Sequence, residues 1–149
     1  MKPDLHLITN YGVSMRNLKC FSVMLFVALS PLTASFADAA DEPVVTPLML
    51  KELADISGKE VLVLTVVYPP GSADPVHRHD AHGFIYVLEG SIVMQVRGGK
   101  EVTLTPGQTF YEGPSDVHTV GRNASSTKSA RFLVFLLKNK GAEVLLPAK

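Results

Sequence analysis

The sequence predicts an all-β domain closed into a barrel or jelly roll. Three observations predict it. Runs rich in Val, Ile, Thr and aromatic residues recur at intervals of about ten residues, Gly and Pro turns separate them, and too little helical pattern remains to build βαβ units. Closing such strands into a barrel also protects their edges from pairing with other chains.

The elements follow in order. Asp41 to Pro47 is Pro-rich and reads as a tether, and Leu48 to Ile56 reads as one short helical turn closed by Ser57-Gly58. Glu60 to Tyr68 (EVLVLTVVY) is dense in β-branched residues and stops at Pro69-Pro70-Gly71. Gly83 to Leu88 (GFIYVL) leads through the Glu89-Gly90 turn into Ser91 to Arg97 (SIVMQVR). Gly98-Gly99 makes the next hairpin, to Glu101–Leu104, and Thr105-Pro106-Gly107 turns the chain before Thr109–Glu112. Asp116 to Arg122 and Ala130 to Lys138 complete the set.

The first forty residues have another character. Met15-Arg16-Asn17-Leu18-Lys19 is basic, Phe21 to Leu29 is almost wholly apolar, and a small-residue stretch, Ala34 to Ala40, follows Pro31. These are the three parts of a secretory signal peptide, and the apolar run falls short of the roughly 20 residues a membrane span needs. Cleavage is expected at Ala37-Asp38-Ala39, with Ser35-Phe36-Ala37 as the competing site and Met15 as the expected start of translation. Cys20, the one cysteine, precedes the apolar run, so the mature chain holds no thiol and is indifferent to an oxidising compartment. The expected organisation is an N-terminal extension and signal peptide over 1–39, an arm over 40–58, the barrel over 59–140 and a tail over 141–149. A bacterial periplasmic or secreted location follows, with no stable membrane span after cleavage.

The 149 residues are 46% hydrophobic and 19% charged, a globular composition sufficient for one domain. Fourteen basic residues balance fourteen acidic ones with no block of one sign, which argues against nucleic acid as a partner.

All but one of the five histidines lie beyond residue 40. His77 and His79 stand two apart, which on a strand places both side chains on one face with Cα atoms about 6 to 7 Å apart. Two such imidazoles can converge on one ion with metal–nitrogen distances of about 2.0 to 2.1 Å. His118, from a later strand, can reach them across a barrel. His82 has the opposite parity and points away on a regular strand, unless a bend at Asp80-Ala81 reverses it. It stands either as a fourth ligand or as a rim residue at the pocket mouth. Glu112 precedes a turn and is either a pocket carboxylate or an exposed strand-end charge, and the rarity of buried Glu favours the second. Gln95 faces either the pocket or water. Tyr86, Phe110 and Tyr111 suit barrel packing or an interface, Asp116 suits the turn before His118, Arg78 projects outward, and Asn123, Ser125 and Ser126 read as a polar loop.

Gly71, five further residues, His77-x-His79 and then Gly90 closing Tyr86-Val87-Leu88-Glu89 resemble the first motif of the cupin superfamily. Pro106-Gly107, Phe110, Pro114, His118 and Asn123 resemble its second motif. The resemblance runs from about residue 60 to 138 and implies a small single-domain cupin of quercetinase-like type: a conical β-barrel, or double-stranded β-helix, holding one metal ion. It carries over His77, His79 and His118 as ligands. The family's acidic ligand would fall at Gly83 or Phe84, neither of which can bind an ion, and Asp116 stands where the second motif has Gly.

Three imidazoles suit a divalent transition metal (iron, zinc, nickel, copper or manganese) and leave positions open for water or substrate. Two functions follow. One is a metal-dependent enzyme acting on a small organic molecule, dioxygenase-like or a lyase or isomerase, with Glu112 and His82 as its acid–base candidates. The other is a non-catalytic periplasmic module that binds or senses metal or a small ligand, favoured by the missing acidic ligand. A homodimer is expected through strand edges and the arm, with Val44, Val45, Leu48 and Leu50 at the contact.

Overall fold

The computed structural model describes residues 41–149, so the signal peptide, Cys20 and the alternative start at Met15 lie outside the described residues. Ten strands are formed: β1 (Val44–Glu52), β2 (Lys59–Tyr68), β3 (His77–Arg78), β4 (Ala81–Glu89), β5 (Ile92–Val96), β6 (Val102–Leu104), β7 (Thr109–Glu112), β8 (Val117–Asn123), β9 (Ala130–Asn139) and β10 (Leu146–Pro147). They make two five-stranded antiparallel sheets, ordered β1-β2-β9-β4-β7 and β10-β3-β8-β5-β6. Both sheets mix strands from early and late in the chain. This is the expected all-β architecture.

Alternation decides which residues meet between the sheets. Along β9, Ala130, Phe132, Val134 and Leu136 face inward while Arg131 and Phe135 face out. Leu62, Leu64 and Val66 of β2 and Ile85 and Val87 of β4 join them from the same sheet, and Ile92, Met94 and Leu104 close the core from the other. Full burial of a side chain such as Leu136 contributes about 1.5–3 kcal/mol. The inward parity of β9 continues to Lys138, at the end of the barrel, where its ammonium donates to Glu60 Oε1 at 2.5 Å. That bond holds the Glu60 carboxyl below its ordinary value. The pair also fixes the chain beyond it, because Lys138 Nζ donates to Ala142 O at 2.7 Å and Gly141 N–H to Glu60 Oε1 at 3.1 Å.

Two expectations are corrected. The segment read as a tether and a helical turn, Asp41 to Ile56, contains β1, which pairs antiparallel with β2 from Val44↔Val67 to Glu52↔Glu60. Backbone pairing along a full strand outweighs weak local helix propensity. Pro47 is tolerated because β1 is an outer strand, and the register slips between Pro47 and Met49. Asn123, read as a loop residue, is buried at the end of β8. Its amide donates to Tyr68 O, Pro69 O and Lys128 O at 3.0, 2.9 and 2.8 Å, and its Oδ1 accepts from Ser125 N–H at 2.9 Å.

Gly90, at the turn between β4 and β5, cannot be replaced without cost. Its φ is +71°, and a Cβ there would lie 2.6 Å from Ser129 O and 2.7 Å from Ala130 Cα.

Asn123 ties three chain segments together in the interior. Asn123→Ala is expected to lower the unfolding free energy by about 2–4 kcal/mol, since it leaves buried carbonyls and an N–H unpaired. A urea unfolding midpoint equal to that of the parent protein would contradict this role.

Candidate metal centre

β3 lies antiparallel to β8 with His77 directly opposite His118. Cross-strand partners project to one face, so the register itself brings two histidines distant in sequence together. Their rings meet edge to face with centroids 4.9 Å apart, and His79, just beyond β3, meets His77 at the same separation. On its other side β3 pairs with β10, Pro147 opposite His77, so the C-terminal tail returns to the histidine strand.

Backbone carbonyls set the proton positions on two of these rings. His77 Nδ1 lies 2.8 Å from Pro75 O, and His79 Nδ1 hydrogen-bonds Val144 O on the returning tail. A carbonyl only accepts, so each Nδ1 carries the hydrogen, and in a neutral ring Nε2 is then a bare lone pair. The two Nε2 atoms face each other at 3.2 Å. His118 Nε2 is buried with no hydrogen-bond partner.

Two carboxylates complete the cluster. Asp74, in the turn after β2, has an oxygen within 4.8 Å of ring nitrogens of both His77 and His118. Its Oδ2 accepts a hydrogen bond from the hydroxyl of fully buried Tyr68. Glu112, at the end of β7, is only 4% exposed. Its Oε1 lies 3.5 Å from His79 Nε2 and its Oε2 3.7 Å from His118 Nδ1.

The electrostatics show one consistent deficit. Burial, with the neighbouring histidines, pushes His118 down to about 4, and burial also lowers His79. Burial, with Asp116 and Asp74 nearby, pushes Glu112 up to about 7. Burial raises Asp74 and Tyr68 as well. Burial thus disfavours charge on the carboxylates and on His79 and His118 alike, and a cation among them would stabilise the carboxylate and neutral-imidazole forms that bind it. The donor set, imidazole nitrogen with carboxylate oxygen and an orphaned buried ring nitrogen, fits a divalent transition metal. The fixed Nδ1–H···O=C bonds are the outer contacts that orient metal-binding histidines.

The cluster lines a cavity of about 90 Å³, whose apolar wall includes Leu64, Val66, Met94 and Phe132. Val45 from β1 and Val144 and Leu145 from the tail contribute to its lining. That is room for a few waters or a small organic group.

His77, His79 and His118 are brought together as the sequence suggested, and Glu112 joins them rather than lying exposed at a strand end. His82 is not brought in. Its parity holds, Nδ1 pairing with the Tyr111 hydroxyl at 2.8 Å, and it does not line the cavity. Gln95 turns back to its own hairpin, Nε2 donating to Gly99 O at 2.9 Å. Asp116 accepts from Gly113 N–H at 2.7 Å and so organises the turn before β8. Arg78 pairs with Asp80 outside, Phe110 packs on the core and stacks on His118, and Tyr86 and Tyr111 are exposed. Sequence reasoning missed Tyr68, Asp74 and the Val144 carbonyl. Only Asp74, three residues before His77, gave a usable signal.

Residues 64–136 match the family described as the cupin domain. No curated protein matches the chain. Among solved structures, an uncharacterized Klebsiella pneumoniae protein with a double-stranded β-helix domain aligns with a TM-score of 0.58 at 16% identity, covering 74% of this chain and 90% of that one. The TT1209 protein of Thermus thermophilus aligns with a TM-score of 0.53 at 28% identity, covering 65% and 84%. The DMSP lyase DddQ of Ruegeria pomeroyi aligns at 0.51 and 20% identity, covering 58% of this chain but only 42% of the lyase. The low identities make these likenesses of fold. Residues 64–136 thus carry a cupin-domain match, within the double-stranded β-helix fold that the solved structures share.

Proposed function

We propose that the domain holds one divalent transition-metal ion through His77, His79 and His118 and presents it to a small organic molecule entering the cavity. The observation that carries this reading is the pair of carbonyl-fixed rings whose Nε2 atoms face each other at 3.2 Å. Bare lone pairs so placed repel unless a proton or a metal cation lies between them. When bound, the metal would supply Lewis-acid polarisation or, if redox-active, dioxygen chemistry.

The chain's own residues support turnover better than the sequence suggested. Tyr68 keeps Asp74 oriented at the cluster, so an acid–base group stands beside the histidines. The apolar wall limits water and strengthens electrostatic interactions inside. The lyase likeness adds only that this fold can host an enzyme. A second reading, a non-catalytic module binding metal or a small ligand, is favoured by one observation: the cavity of about 90 Å³ is well below the usual 300–1,000 Å³ of small-molecule pockets.

Metal analysis of the purified protein, with oxygen-uptake and product assays on flavonoid-like and other enolic compounds, separates the two. Redox-active iron, nickel or copper with turnover supports the enzyme, and tightly held zinc without turnover supports the module. His77→Ala combined with His118→Ala is expected to abolish stoichiometric metal uptake. Retained metal would sink the site.

The expected export and self-association also stand as proposals. No helix among the described residues is long and apolar enough to cross a membrane. Every residue of β1 is exposed although β1 is paired to β2, and Val44, Val45, Leu48, Met49 and Leu50 are each at least half exposed. This apolar strand suits a second copy of the chain, giving a homodimer. Native mass spectrometry of protein recovered from the bacterial periplasm should show a chain starting near Ala40 and twice its mass in the complex. An uncleaved chain would contradict export, and a monomer would contradict the dimer.

A further inference from the structure

The sequence has no carboxylate at Gly83, and the structure supplies one from the neighbouring strand. Gly83 lies on β4 directly opposite Glu112 on β7, in register. A Cβ built on Gly83 would lie 2.8 Å from Glu112 Cγ and 2.9 Å from Glu112 Oε1. The space that a side chain at 83 would fill is therefore already taken by the side chain of Glu112. Any substitution at 83 must displace that carboxylate, which is buried and wedged between His79 and His118.

We infer that Glu112 is the anionic ligand of the metal centre, entering from β7 because Gly83 leaves it room. This rests on the three-histidine reading proposed above and completes it. Oε1 lies 3.5 Å from His79 Nε2, which itself lies 3.2 Å from His77 Nε2, so the carboxylate stands beside the nitrogen that faces His77. Donors bound at about 2.0–2.2 Å to one ion lie about 3 to 3.5 Å from each other, so little movement is required. Asp74 is the rival carboxylate, with an oxygen within 4.8 Å of ring nitrogens of His77 and His118, but the Tyr68 hydroxyl engages its Oδ2 and leaves only Oδ1 free. Glu112 meets only ring nitrogens in its ion pairs, and those rings are better placed to share a cation with it than to neutralise it.

The test uses zinc(II) alone, titrated calorimetrically into metal-stripped protein, with the thermal midpoint of the stripped protein measured beside it. Glu112→Gln keeps the shape and removes the charge. It is expected to weaken zinc binding at least tenfold while the stripped protein melts no lower than the parent, because a merely structural glutamate would lower the midpoint instead. Gly83→Ala changes no ligand, yet its Cβ should displace Glu112 and weaken zinc binding in the parent, with no further loss in the Glu112→Gln background. Parent-like affinity in Glu112→Gln overturns the inference, and does so decisively if Asp74→Asn is weakened instead. Failure of the parent protein to take up zinc or any other divalent transition metal would overturn the three-histidine reading itself, a different result from a Glu112→Gln variant that binds as the parent does.

Discussion

The site depends on two carbonyl oxygens. Pro75 O and Val144 O each take the Nδ1 hydrogen of a histidine, and so turn the Nε2 lone pairs of His77 and His79 toward one another. Unlike rings free to rotate at a surface, these cannot relieve the contact by turning away without breaking a hydrogen bond. A cation relieves it at once, and the buried carboxylate of Glu112 and the orphaned nitrogen of His118 share the same need. Burial accounts for the displaced proton affinities of His79, His118 and Glu112, and it is the same enclosure that brings these groups together.

The barrel supplies the positions. Pairing of β3 with β8 in a single register sets His77 against His118, and slipping that register by one residue would turn one of them to the opposite face. Val144 O reaches His79 only because the tail comes back. The Glu60–Lys138 pair holds the turn at Gly141–Ala142, and β10 then lies along β3. A buried ion pair of this kind adds little net stability, since desolvation offsets its attraction. Its value here is geometric, because it aims the segment that fixes a histidine ring.

Much of this was legible in the sequence. The strands from Glu60 to Lys138 emerged from β-branched runs between Gly and Pro turns, and the structure moved most of their ends by only a residue or two. The His77-x-His79 spacing and the parity of His82 were equally readable, because side-chain period on an extended chain is a local property. The rest depended on tertiary facts. β1 is a strand because β2 offers it a partner, which local propensity cannot show. Glu112 looked like a surface charge until its strand was paired opposite Gly83, when the absence of one side chain and the burial of another became a single observation. Val144 acts through a backbone oxygen and leaves no side-chain signal to find.

The most direct measurement is X-ray absorption at the metal edge of protein loaded with one equivalent of zinc. The expected result is a first shell of nitrogen and oxygen at about 2.0–2.2 Å, with outer-shell scattering from three imidazoles. A shell without imidazole scattering, or with sites scattered among several weakly bound ions, would contradict a metal centre built on His77, His79 and His118.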